Sequence, residues 1–219
     1  MKKLVSIFGC VLLCLSSALA STQAFVIKGA NYMPTDVGAK YIYSKKLVSM
    51  GDNPIYKKSG SQTITVNNCD NKTICNYLYE YKNNEGQLTG SENATEINKN
   101  GSIYVFYGAD DRTILDNSTL IFPARIAIDK VYKYKFKTGG VTTLGSYKAV
   151  KQMTNLTLDQ NDFHNCVEFE SKSVSTLKNL GKIDGKYTET YCSGVGLVKG
   201  LYLNMGDVSY EYTLDSILK

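Results

Sequence analysis

Ten stretches of this chain alternate their side chains with a period of two. They are KYIYSKKLV (40–48), QTITV (62–66), CNYLYEYK (75–82), SIYVFYG (102–108), VYKYKFK (131–137), YKAVKQMTNLTL (147–158), CVEFESKS (166–173), KYTETYC (186–192), LVKGLYL (197–203) and VSYEYTL (208–214). A strand sends successive side chains to opposite faces, so each stretch has an aromatic or aliphatic face and a polar one. KKSGS, NNEGQ, NKNGS, KTGG, NLGKIDGK and NMGD punctuate them with turn residues. Short alternating runs between tight turns predict a mainly β chain built on an antiparallel sheet. Seventeen tyrosines supply most of the aromatic positions; there is no tryptophan. Helical periodicity is confined to two short pieces, near 22–30 and 111–120.

The first twenty residues, MKKLVSIFGCVLLCLSSALA, carry two lysines, an apolar run from Val5 to Leu15 and the small-x-small site Ala18-Leu19-Ala20. That pattern predicts a bacterial secretory signal cleaved after Ala20, with a periplasmic or secreted product. The apolar run is shorter than a membrane span, and no later segment is apolar enough to be one. Cys10 follows Phe8-Gly9 too early for a lipid-attachment site, and Leu13 is the wrong size before Cys14. Residues 21–219 then read as one exported domain. Two of the three prolines sit in segments that echo each other, YMPTDVGAKYIYSKK (32–46) and IFPARIAIDKVYKYKF (121–136). The echo raises the expectation of two similar halves, about 30–110 and 120–217.

Without the signal the chain keeps 23 basic and 20 acidic side chains, a net +3, with the lysines scattered. No basic patch suggests a nucleic-acid partner. Asn71, Asn93, Asn117 and Asn155 stand in N-x-S/T sequons, which carry weight only in a glycosylating host. Four cysteines remain, Cys69, Cys75, Cys166 and Cys192. An even number in an exported chain suggests disulfides, and four allow three pairings. Locality favours Cys69–Cys75, across CDNKTIC, and Cys166–Cys192, between neighbouring strands. The longer loop is worth roughly 3–4 kcal/mol and the short one about 2 in a chain-entropy account. A zinc site needs tighter Cys/His clustering than one histidine, His164, provides.

YCSGVGLVKG (191–200) has the glycines of a phosphate loop but lacks its lysine–serine spacing and its following helix. Gly194 and Gly196 are therefore assigned to a hairpin bend, with Cys192 stapling the strand before it. NDFHNCVEFES (161–171), KYTETYCSGVGLVKG (186–200) and DVSYEYTLDSI (207–217) resemble the C-terminal half of a family of exported bacterial domains of unknown function, marked by a GVGLVK hairpin. YMPTDVGAKYIYS is similar to that family's opening. Tyr41 stands where the family usually has tryptophan, and Cys192 where a small residue is common. The resemblance implies a strongly curved antiparallel sheet or half-open barrel akin to lipoprotein carriers. No catalytic residue carries over from it.

The catalytic candidates are few. His164 lies in a polar turn near Asp159 and Asp162, with no nucleophile-elbow motif. Glu168 and Glu170 share a strand face, as Glu80 and Glu85 could across a turn, but a solvated face explains them. Asp110-Asp111 is a weak calcium signal. Neither a cofactor nor a metal is expected. Tyr77, Tyr79 and Tyr81, Tyr132 and Tyr134, and Tyr210 and Tyr212 form period-two ladders. Cross-strand packing accounts for such ladders. They could also line a groove for an acyl chain, a glycan or a partner strand. The expectation is a non-enzymatic envelope protein that binds an apolar, lipid-like ligand or handles lipoproteins. The alternative is a protein-interaction module in an envelope or surface complex.

Overall fold

The computed structural model of the chain describes residues 26–49, 55–107, 119–138, 141–177, 181–204 and 209–219. The expected signal segment, its cleavage site, Asp110-Asp111 and Asn117 lie outside them. The described residues form one 3-10 turn, Gly29–Tyr32, and twelve strands. These are β1 (Lys40–Ser49), β2 (Ile55–Asp70), β3 (Ile74–Lys82), β4 (Leu88–Lys99), β5 (Ser102–Tyr107) and β6 (Thr119–Phe122). They continue as β7 (Val131–Thr138), β8 (Val141–Leu158), β9 (Asn161–Leu177), β10 (Gly181–Cys192), β11 (Gly196–Asn204) and β12 (Ser209–Leu218).

Every ladder is antiparallel, in the order β6-β5-β4-β3-β2-β1-β12-β11-β10-β9-β8-β7. Strands adjacent in sequence are adjacent in the sheet, with one exception. β6 and β7 are its two ends, while β1 and β12 pair in its middle. The sheet curls until β6 and β7 come close, giving a barrel with one unsealed seam. The expected curved antiparallel architecture is the one observed.

Turn chemistry fixes the register. Asn71 and Lys72 both take positive φ, 44° and 56°, between β2 and β3. Asn100 and Gly101 do so, at 54° and 82°, between β4 and β5. Two consecutive left-handed residues match the twist of a two-residue hairpin. Two strands carry no readable alternation. β4, LTGSENATEINK, is polar and small-sided; ladders to β3 and β5 on its two edges hold it extended. β6 begins at Thr119, at the end of a segment expected to be helical, whose residues 111–118 are not described. The other expected helix, near 22–30, lies outside the described residues as far as 25; 26–28 carry no regular structure, with Lys28 extended, and Gly29–Tyr32 make the 3-10 turn.

One end of the barrel is stoppered by residues 26–39. The 3-10 turn packs against β5 on one side and β10 and β11 on the other. Gly194 N donates to the Asn31 carbonyl at 2.7 Å, and Ile126 N to the Ile27 carbonyl at 3.0 Å. The core lies here: Ile27, Tyr32, Met33, Val66, Cys75, Ile103, Phe122, Cys166, Val167, Cys192 and Val198 are buried in one cluster. Cys69 is bonded to Cys75 and Cys166 to Cys192, each pair at directly opposed ladder positions.

Outside, β7 to β10 show Lys133, Lys135, Glu170, Lys172 and Lys186 to solvent, and Lys148 pairs with Glu170 at 3.4 Å. Among the described residues no helix is long and apolar enough to cross a membrane.

Candidate functional site: a tyrosine-lined interior

Above the stopper the barrel is not filled. A chamber of about 510 Å³ lies behind the seam, walled on one side by Val105, Leu120, Ile121 and Phe122 from β5 and β6. Tyr134, Tyr147, Phe169 and Tyr187, with a hydroxyl row of Thr143, Ser171, Ser173 and Ser175, face that wall from β7 to β10. A second space, about 630 Å³, lies among β1 to β4 and β12. Ile121, Phe122, Glu189, Tyr191 and Tyr202 line both and form a waist between them.

The first chamber stays open because three tyrosine rings lie where a Cβ would stand. A Cβ on Gly145 would meet the Tyr134 ring, directly across the β7–β8 ladder. A Cβ on Gly185 would meet the Tyr187 hydroxyl, and one on Gly200 would come within 2.7 Å of the Tyr202 ring. Glycine leaves room for these rings to lie against the strand, so they line the space instead of plugging it. Hydrogen bonds then fix the wall. Ser173 Oγ and Tyr187 OH share one at 2.8 Å, and Thr143 Oγ1 and Ser175 Oγ one at 2.9 Å. Tyr147 OH is buried without a hydrogen-bond partner, against the usual pairing of buried polar atoms. Burial first, then the nearby Tyr132 and Tyr134, push its ionisation up.

Three carboxyls face inward: Glu92, which takes the Tyr81 hydroxyl, Glu96 and Glu189. Glu189 accepts from Tyr202 OH at 2.7 Å and is also hydrogen-bonded by Tyr191; desolvation nevertheless raises its pKa. Glu96, in the second chamber, is pushed by desolvation to about 7, against an opposing hydrogen bond with Tyr77. The single proton of Tyr77 is donated to the Pro34 carbonyl at 2.7 Å. Lys45 is the one cation lining the second chamber among the described residues. Its ammonium sits 4.7 Å from the Tyr210 ring centroid and 5.7 Å from that of Tyr212. Desolvation lowers its pKa.

Of the tyrosines singled out in the sequence, Tyr77, Tyr79, Tyr81, Tyr210 and Tyr212 line the second chamber and Tyr134 the first. Tyr132 stands apart. Its hydroxyl accepts from Ala127 N at 3.0 Å and donates to the Arg125 carbonyl at 3.4 Å, fastening the crossover from β6 to β7. Gly194 and Gly196 form the β10–β11 bend with φ of 75° and 88°. A Cβ on Gly196 would come within 2.9 Å of Pro34, so the bend closes on the stopper, and Gly196 also borders the second chamber. His164 is exposed, its Nδ1 2.8 Å from Asn155 Oδ1, and lines neither chamber. Glu170 faces solvent, as a polar strand face should. Among the described residues no group of three or more His, Cys, Asp or Glu is placed to hold a metal ion.

Sequence reading missed Glu96, Glu189, the serine row and the three glycines. The signals were present: Tyr187-x-Glu189-x-Tyr191 puts a carboxyl in an aromatic row, and GKY (185–187) and GLY (200–202) place a glycine two residues before a ring.

No protein-family model matches the chain, and no curated protein matches it in sequence. Two crystal structures share its fold. One is a "putative lipoprotein" from Parabacteroides distasonis ATCC 8503, at a TM-score of 0.59 and 14% identity, covering 85% of this chain and 98% of the other. The second is a "putative exported protein with YmcC-like fold" from Bacteroides fragilis NCTC 9343, at 0.60 and 13%, covering 86% and 99%. The chain therefore has the same fold as these two proteins over nearly their whole length.

Proposed function

We propose that this is a non-enzymatic, exported envelope protein whose barrel interior holds a lipid-like ligand. The open, aromatic-lined interior carries the reading. Its first chamber falls within the size range of small-ligand sites and pairs an apolar wall with a few placed polar groups. Two disulfides suit an oxidising compartment, and both proteins of like fold are described as exported or as lipoproteins. The test is detergent-free purification from the cell envelope, followed by solvent extraction and mass spectrometry. One amphiphile recovered at near one per chain is the expected result; a protein that is reproducibly empty, and stays empty when offered lipid extract, contradicts it.

The unsealed seam favours a second reading. β6 and β7 leave ladder edges on which a partner strand could pair, which would make the protein an interaction module in an envelope complex. In-cell crosslinking from residues of β7, with capture of one partner in stoichiometric yield, supports it; a solitary protein counts against it.

A further inference from the structure

Glu189 is the only carboxyl lining the first chamber, and no lysine or arginine lines that chamber among the described residues. It stands at the waist, where the apolar wall of Val105, Leu120 and Phe122 ends. Aromatic rings surround it. Phe169 is directly opposite on β9, Gly200 is directly opposite on β11, and the Tyr202 ring takes the space that a Cβ on Gly200 would fill. Tyr187 and Tyr202 meet edge to face at 5.4 Å, and Tyr191 packs on Phe122 at 4.9 Å and on Phe169 at 5.8 Å. A desolvated carboxyl that takes the hydroxyls of Tyr202 and Tyr191 and stands among aromatic side chains offers an ammonium a charge partner with ring quadrupoles beside it. The same carboxyl disfavours a carboxylate, phosphate or sulfate in its place.

We propose that the interior selects an amphiphile with a cationic head, its ammonium at Glu189 and its apolar tail along Val105, Leu120, Ile121 and Phe122. This rests on the reading of the barrel as a ligand carrier and adds which class of ligand it takes. The probes are dodecyltrimethylammonium, dodecyl glucoside and dodecanoate. They share one tail and are titrated calorimetrically, below their micelle concentrations, into the oxidised mature protein. The cationic probe is expected to bind at least tenfold more tightly than either other. Glu189→Gln should bring its affinity within threefold of the glucoside, whose own binding stays unchanged. Equal binding of all three, or preference for the glucoside or dodecanoate, overturns the cationic assignment while leaving a lipid-binding barrel. Binding of none overturns both. Should Glu189→Gln not fold, the wild-type ranking alone decides.

Discussion

The tyrosines at the stoppered end and those around the first chamber look alike in sequence and do opposite things. At the stopper, hydroxyls reach distant backbone. Tyr43 donates to the Leu197 carbonyl at 2.8 Å, Tyr77 to Pro34 at 2.7 Å and Tyr32 to Asn165 at 3.4 Å. Tyr43 and Tyr77 are almost wholly buried. Around the chamber, Tyr134, Tyr187 and Tyr202 lie against glycines and keep an exposed edge toward the cavity. What differs is the neighbour. A glycine beside a tyrosine makes a wall, and a chain segment crossing the barrel mouth makes a bolt. One residue type thus supplies both rigidity and empty space.

If the stopper is the stable end, breaking it should cost most. Cys166→Ala with Cys192→Ala should lower unfolding free energy by about 2–5 kcal/mol, measured by denaturant titration, and the Cys69/Cys75 pair by less because it closes a shorter loop. Equal costs would remove the distinction. Next comes pH. The folded state holds the Glu96 proton up to about 7, whereas the unfolded chain releases it near 4.5. The folded state therefore binds more protons between those values, and stability falls as pH rises through that window, by on the order of 2–3 kcal/mol. Glu96→Gln should flatten this slope in melts between pH 4.5 and pH 8. Loss of a single hydroxyl sharpens the comparison further. Tyr77→Phe leaves the Pro34 carbonyl without its donor and should cost about 1–3 kcal/mol. Tyr210→Phe, on the wall of the second chamber away from the stopper's hydrogen bonds, keeps its ring contacts with Tyr202 and Tyr212 and should stay within about 0.5 kcal/mol.

The strands were readable wherever an inward aromatic alternated with an outward lysine or glutamate, as in β3, β7, β10 and β12. β4 was not, because its inward positions are Gly90, Glu92, Ala94 and Glu96, and only its neighbours give it a reason to be extended. The disulfide partners could be read from local spacing, since each pair spans a single hairpin. The chamber could not. Whether a tyrosine packs or lines depends on which residue faces it across a ladder, and Tyr134 meets Gly145 only once the β7–β8 register is known. The inward carboxyls were hidden for a similar reason. Glu189 and Glu170 sit in equally alternating strands, and only the position of the aromatic row shows that one turns in and the other out.

The account depends on glycines holding rings flat over an accessible space. The direct measurement is binding of the apolar dye N-phenyl-1-naphthylamine to wild type and to Gly145→Ala, with circular dichroism confirming the β fold of each. One dye per wild-type chain, and at least tenfold weaker binding once the added methyl drives the Tyr134 ring into the chamber, is the expected result. A wild type that takes up no dye, or a folded Gly145→Ala that binds it equally well, contradicts the claim.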